Sequence, residues 1–194
     1  MDFRALFFKY RSYTPIPLLL AILIFAAPQP ASLLAGFVIT MLGQTVRLWA
    51  VRHAGGATRT TGTVGAGPEL ITHGPFAYVR NPLYVGNFFI AFGFCITAWA
   101  WMPWLLLIYL ALFGLQYQMI VALEEEHLRQ RFGKIYTDYL AQVPRFIPRL
   151  TPFRPQTTPG MPLARALRIE KDTLLSTFLI ALAIFLRWKF ATHF

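Results

Sequence analysis

Apolar runs at about 14–27, 31–51, 83–100, 102–123 and 173–190 constrain this chain more than anything else in it. A helix needs roughly 20 predominantly apolar residues to cross the hydrocarbon core of a bilayer, and the first and last runs are marginal in length for that task. Inside lipid the backbone has no water to bond, so runs of this kind fold as helices rather than as open strands. Composition agrees: 56% of the residues are hydrophobic and 13% are charged, against about a quarter charged in soluble domains. The expected fold class is all-α, a multipass transmembrane helical protein with about five membrane helices.

Charge orients those helices. Eighteen Lys and Arg against eight Asp and Glu give +10, and in a membrane chain such an excess marks cytoplasmic loops. Arg4, Lys9 and Arg11 precede the first run; Arg52, Arg59 and Arg80 lie between the second and third; Arg129, Arg131, Lys134, Arg145 and Arg149 follow the fourth. The turns PQP and AWMP carry no charge. If the first four runs span, every basic segment falls on one side, which places the N-terminus and the loops in the cytoplasm. The last run is flanked by Arg165, Arg168 and Lys171 before it and holds Arg187 and Lys189 in its last turn, so charge does not fix its path. Nucleic acid is excluded as a partner, because no water-soluble module interleaves basic and aromatic residues. No small-residue cleavage site stands out after the first run, which reads as a retained membrane helix. Cys95 is alone in an apolar run and can form neither an intrachain disulfide nor a cysteine cluster.

Three regions follow: a membrane hairpin over 1–51, a core over 52–150, and a Pro-rich linker with a last membrane helix over 151–194. Within the core two long stretches are not membrane. Residues 52–82 are glycine-rich without a long apolar run, and a loop of that length is usually functional. Residues 124–150, EEEHLRQRFGKIYTDYLAQVPRFIPRL, read as an amphipathic helix, a glycine break, a short helix and a proline-ended strand or coil. Both face the cytoplasm, where a site between them would meet a soluble cofactor on one side and a lipid-borne substrate on the other.

Glu124, Glu125 and Glu126 directly follow the apolar run, and three of eight acids together at that place are unexpected. Ionisable groups near a membrane interior are costly and usually face a polar cavity. The plainer reading makes them a solvated helix end, with Glu126 facing Arg129 or Gln130 at helical spacing. The run HGPFAYVRNPLYVGN, residues 73–87, is equally dense in polar groups. Pro82 suits the first turn of a helix, where its missing N–H costs nothing, and Asn81 suits the N-cap, its side-chain oxygen accepting from a free backbone N–H. Neither reading accounts for Phe76, Tyr78, Arg80 and Tyr84, for which taken singly an aromatic belt at the interface and an arginine snorkelling to headgroups are the plain alternatives. Gln116 and Gln118 read as interhelical hydrogen-bonders, and His53, His73 and His127 are not at metal-ligand spacing, so no metal is expected.

Taken together, LITHGPFAYVRNPLYVGN and the later EEEHLRQRFGKIYTDYLAQVPRFIP resemble the membrane methyltransferases typified by isoprenylcysteine carboxyl methyltransferase, with the phospholipid N-methyltransferases as close relatives. The matching positions are Leu70, Ile71, Gly74, Phe76, Arg80, Asn81, Pro82, Tyr84 and Gly86, then Glu124, Glu125, Leu128, Phe132 and Gly133. The resemblance covers roughly 47–150. It implies a helical membrane enzyme that binds S-adenosylmethionine and moves its methyl group to a hydrophobic or lipid-linked acceptor. By the same resemblance Leu70 and Ile71 contact the cofactor through backbone, Phe76 packs on it, Asn81, Pro82 and Tyr84 line its pocket, Glu124 and Glu125 hold its polar end, and Glu124 and Arg80 are the catalytic candidates.

The physics of the cofactor fits: its sulfonium and ammonium groups favour a carboxylate in a partly dry site and aromatic faces beside them. No GxGxxG follows a strand, so the soluble nucleotide-fold route to this cofactor is absent. The sequence departs from the carboxyl methyltransferases in two places: their usual His is Asn81, and the Arg often found a turn before the glutamates is Ile120, leaving Arg80 or Arg145 to orient a substrate carboxylate. Three alternatives stay open. A phospholipid N-methyltransferase needs a proton acceptor, for which His73 is a candidate; a sterol-reductase-like enzyme would use NADPH; and a membrane scaffold or transporter would use the glutamates as an ion site.

Overall fold

The computed structural model describes residues 3–55, 69–154 and 158–191, and among them regular structure is helical throughout. Proline opens three of the helices at positions where its lost N–H is harmless: α2 (Ile16–Ile24), α3 (Pro30–Ala54) and α4 (Pro82–Ala98). The start of α3 is fixed further by a reciprocal cap, in which the Ser32 hydroxyl accepts from the Gln29 backbone at 2.9 Å. α1 (Phe3–Tyr10) precedes these, and α5 (Trp104–Gln142) and α6 (Leu163–Ala191) follow.

α3 and α5 are long and apolar enough to cross a bilayer. The 17-residue α4 is apolar but shorter, about 25 Å at 1.5 Å per residue. The first expected membrane helix is reduced to the nine residues of α2, about 13 Å. α5 joins the apolar run to the amphipathic helix expected after it. It does not end at residue 123 but carries all three glutamates on unbroken helix to Gly133, where φ of +53° kinks the chain before a last stretch to Gln142. The glycine break and short second helix expected there are both present. α6 begins ten residues before its apolar run and includes Arg165, Arg168, Glu170 and Lys171.

α3 and α4 pack antiparallel along a seam of small residues seven apart on each helix. A Cβ added at Gly36 would strike Thr97 and the Gly93 carbonyl; one at Gly43 would meet the Gly86 carbonyl and Ile90; one at Gly86 would strike Arg47. Such seams let helix backbones approach closely where lipid offers no hydrophobic drive to association. α6 runs antiparallel to α3 on another face, tied at successive heights by Arg52 to the Met161 carbonyl, Arg47 to Glu170 and Gln44 to Thr177, while Arg187 reaches the Ala26 carbonyl beyond the start of α3. The two charge-free turns meet at this far end, where Ala27 donates to the Ala98 carbonyl at 2.9 Å and Phe25 stacks on Trp101.

A buried cluster of Ile22, Phe94, Cys95, Leu105, Tyr109 and Ile184 joins α2, α4, α5 and α6. Meanwhile Leu34, Phe37 and Val38 of α3, Leu107 and Leu112 of α5 and Phe178 and Leu179 of α6 are exposed. Charge inside and large apolar side chains outside is the arrangement a bilayer selects.

Candidate active site at one end of the helix bundle

At the end opposite the charge-free turns, residues 69–81 close over α5. Gly74–Ala77 form one turn of 3-10 helix, for which Gly74 adopts φ of +58°. The segment after α5 straps this turn in place. Arg80 N–H donates to the Pro144 carbonyl at 2.9 Å, Arg149 N–H to Tyr78 at 3.0 Å and Phe153 N–H to Ala77 at 2.9 Å. The Tyr139 hydroxyl adds a bond to the Phe76 carbonyl at 2.7 Å, above a small core of Tyr136, Tyr139 and Val143.

The walls so formed enclose a cavity of about 400 Å³, within the range usual for small-molecule sites. Leu70, Ile71, Phe76, Arg80, Asn81, Pro82, Tyr84, Glu124 and Glu125 all line it. Two segments forty residues apart in sequence thus meet where the sequence pattern expects them to.

Asn81 and Arg80 of this set, and Arg145 behind it, differ from expectation in what they hold. Asn81 is the N-cap of α4 but caps nothing with its side chain; its amide instead donates to the Arg145 carbonyl at 3.1 Å. The reason is local: the strap behind it offers a carbonyl, and the N–H of Tyr84, which a cap would take, reaches the Asn81 backbone carbonyl at 3.1 Å. Arg80 and Arg145, the two cations expected to orient a substrate carboxylate, are both engaged by Glu125. Arg80 Nη2 lies 3.0 Å from its Oε1, while Arg145 forks onto both oxygens at 3.0 and 2.5 Å. Arg80 also donates to the Leu140 carbonyl at 2.8 Å. Glu125 is 4% exposed, so this paired carboxylate is a closed clamp between α5, the strap and the head of α4. Glu124, one residue earlier, accepts from the Tyr84 hydroxyl at 2.6 Å and remains half-buried on the cavity wall.

Glu126 faces neither Arg129 nor Gln130 but Arg4 of α1, at 2.7 Å. Gln116 accepts from Thr14 at 2.8 Å and donates to the Arg11 carbonyl at 3.3 Å, and Gln118 accepts from Arg145 at 2.9 Å. Both glutamines therefore bond outside their own helix, but to the turn before α2 and the coil after α5 rather than to a neighbouring helix as expected. His73 does not line the cavity; it sits edge-on to His53, and burial first, then the neighbouring His53, lowers its pKa.

Sequence reasoning missed Arg47, Asn87 and Tyr117. All three line the cavity, linked by Arg47 to Asn87 and by the Asn87 amide to the Tyr117 hydroxyl at 3.0 Å. Tyr117 in turn packs on Tyr84, with ring centroids 4.7 Å apart. A signal was present, because Arg47 lies inside an apolar run, and an ionisable residue there calls for a buried partner or a function. Its partner, Glu170, comes from 123 residues away and had no such mark in the sequence. Among the described residues no group of three or more His, Cys, Asp or Glu is placed to hold a metal ion.

Known proteins bear on this arrangement. No solved structure matches the chain closely enough to fix its fold by likeness. The nickel-cobalt-cadmium resistance protein NccN of Alcaligenes xylosoxydans xylosoxydans is 34% identical over 124 residues, 62% of this chain and 53% of that protein. The cobalt-zinc-cadmium resistance protein CzcN of Cupriavidus metallidurans is 28% identical over 138 residues, 67% and 55%. The protein-S-isoprenylcysteine O-methyltransferase of Tribolium castaneum is 28% identical over 123 residues, 58% and 40%. The chain spans about half the length of these curated relatives or less. The phospholipid methyltransferase family matches residues 31–135, which takes in α3, the strapped turn, α4 and the glutamates of α5 and exceeds half of the 194 residues. The chain belongs to the phospholipid methyltransferase family.

Proposed function

We propose that the protein is an integral membrane methyltransferase that takes its methyl group from S-adenosylmethionine and places it on a hydrophobic or lipid-linked acceptor. The observation that carries this reading is the pairing of Tyr84 with Glu124 on the wall of the cavity. It leaves one carboxylate facing a space in which the neighbouring carboxylate is already neutralised. Cavity volume, the aromatic walls of Phe76, Tyr84 and Tyr117, and the buried Nε of Arg80, which has no partner among the described residues, all suit a ligand with both charged and planar parts.

When bound, the donor supplies a methyl carbon made electrophilic by its sulfonium. Glu124 then provides negative charge for the donor's cationic groups, worth more in a partly dry site than in water. Tyr84 holds that carboxylate in one orientation. Phe76, in the turn that the strap holds, offers an aromatic face, and Leu70 and Ile71 on the cavity wall offer backbone, to the donor's remaining parts. Arg80 acts through Glu125 and the Leu140 carbonyl to hold the strap and the head of α4 together. The chain's contribution is alignment and exclusion of water, the main requirements of an in-line displacement.

In this reading the cavity faces the cytoplasm, on the side of the basic segments. α6 crosses the bilayer beside α3, because its ties to α3 run from Met161 to Arg187 through the whole depth of the bundle. With the short α2 running from the side of the cavity toward the charge-free turns, five segments enter the membrane.

The test is calorimetric titration of the purified protein with S-adenosylhomocysteine, followed by transfer of labelled methyl to a total lipid extract. Binding and labelled lipid are expected; tight NADPH binding with neither would replace the reading by a reductase. Headgroup analysis separates the acceptors, since only an N-methyltransferase yields mono- or dimethylated ethanolamine lipids.

A further inference from the structure

Three arginines line the cavity: Arg11, Arg47 and Arg80. Arg80 is bound by Glu125. Arg47 is bound by Glu170 through Nε at 3.0 Å and Nη2 at 2.9 Å, with Glu170 only 1% exposed. Arg11 differs from both. Its Nη1 donates to the Phe8 carbonyl at 2.7 Å and its guanidinium lies over the Phe8 ring at 4.1 Å, but among the described residues no carboxylate is bonded to it. It is half-buried, and its charge acts on Glu124 through space without a bond between them, which leaves its remaining N–H groups open to a ligand.

The segment that carries Arg11 is fixed onto α5 on both sides. Arg4 pairs with Glu126, Thr14 bonds Gln116, and Gln116 returns a bond to the carbonyl of Arg11 itself. Phe8 and Ser12 from the same segment also line the cavity. This wall precedes residues 31–135, which the family matches. A guanidinium with several free N–H groups, backed by an aromatic face, is suited to grip an oxyanion through paired hydrogen bonds.

We infer that Arg11 is the acceptor-side cation of the cavity, binding the anionic oxygens, carboxylate or phosphate, of the lipid-borne methyl acceptor. The inference rests on the methyltransferase reading and deepens it: Glu124 serves the cationic donor and Arg11 the anionic acceptor. It also replaces Arg80 and Arg145, which Glu125 occupies, as the group that orients the acceptor.

The experiment uses the full chain in phosphatidylcholine nanodiscs saturated with S-adenosylhomocysteine. Three fluorescent probes are titrated: a short-chain phosphatidylethanolamine, an S-prenylcysteine with a free carboxylate, and a diacylglycerol without charge. Arg11→Ala is expected to weaken at least one anionic probe tenfold or more and Arg11→Lys a few-fold, with the diacylglycerol and S-adenosylhomocysteine unaffected. The probe that weakens identifies phosphate or carboxylate as the source of the anion. Unchanged binding of both anionic probes, absence of their binding to the parent protein, or an equal loss for diacylglycerol would overturn the inference. Failure of the parent protein to bind S-adenosylhomocysteine would instead remove the methyltransferase reading, and Arg11 would then be judged on the lipid probes without it.

Discussion

Glu124 and Glu125 are adjacent on one turn of α5, yet they stand in opposite circumstances. Glu125 has two arginines on its two oxygens and is shut from solvent. Glu124 has one neutral hydroxyl, from Tyr84, and borders the cavity. A helix advances 100° per residue, so neighbouring side chains look onto different surroundings. Here one looks toward the strap and the other toward the space between the strap and the membrane helices. The same chemical group is clamped by two arginines in one position and left with a single hydroxyl partner on the cavity wall in the next.

The contrast breaks most forcefully at Glu125. Glu125→Gln leaves Arg80 buried without its countercharge, and removing one partner of a buried pair costs about 3–5 kcal/mol. The strap and the head of α4 should loosen together. Expected outcomes are a clear fall in Tm in detergent and loss of S-adenosylhomocysteine binding in the same variant. An unchanged Tm would mean that the clamp is not structural.

Glu124→Gln should do the reverse. It retains shape and a hydrogen-bond partner for Tyr84, so Tm should stay within a few degrees of the parent. Ligand affinity should fall at least tenfold, about 1.4 kcal/mol, as read by calorimetry. Tyr84→Phe removes one hydrogen bond to a charged group, worth about 1.5–3 kcal/mol where fully formed. The open cavity lets water replace part of it, so the expected loss of affinity is smaller than for Glu124→Gln. If both variants bind like the parent, the open carboxylate has no part in the site.

The difference between these two regions was only half legible in the sequence. The glutamate cluster, the turn at Gly74, the break at Gly133 and the pairing of 70–84 with 124–133 could all be read from motif and breaker residues. Which carboxylate would be closed could not, because it depends on Arg145, delivered by a coil whose path the proline pattern leaves unspecified. For the same reason Asn81 looked like a helix cap: its alternative partner is a carbonyl 64 residues away. Arg47 and Glu170 show a further limit. Arg47 was visible as a charge inside an apolar run while Glu170 carried no such mark, and their antiparallel alignment is set by α3 and α6 packing at full length. The glycines of the α3–α4 seam were likewise visible as residues, while the neighbours that make a side chain impossible at Gly36 and Gly93 are known only from the packed pair.

Glu126 supplies the weakest test and the most discriminating control. It stands on the same turn as the other two, but its side chain is 48% exposed and that of Arg4 36%. An exposed ion pair contributes about 0–1 kcal/mol and is screened by salt. Glu126→Gln should therefore leave donor binding unchanged and shift Tm by no more than a degree or two, with even that shift fading as salt is raised. Its effect should appear, if anywhere, in the acceptor, because Arg4 helps fix the segment that presents Arg11. A few-fold weakening of an anionic lipid probe with normal S-adenosylhomocysteine binding would place the three glutamates in three distinct positions: one on the donor, one in the clamp, one behind the acceptor wall. Loss of donor binding equal to that of Glu124→Gln would instead show that negative charge on this turn acts as a diffuse field, and the distinction between open and closed carboxylates would fail.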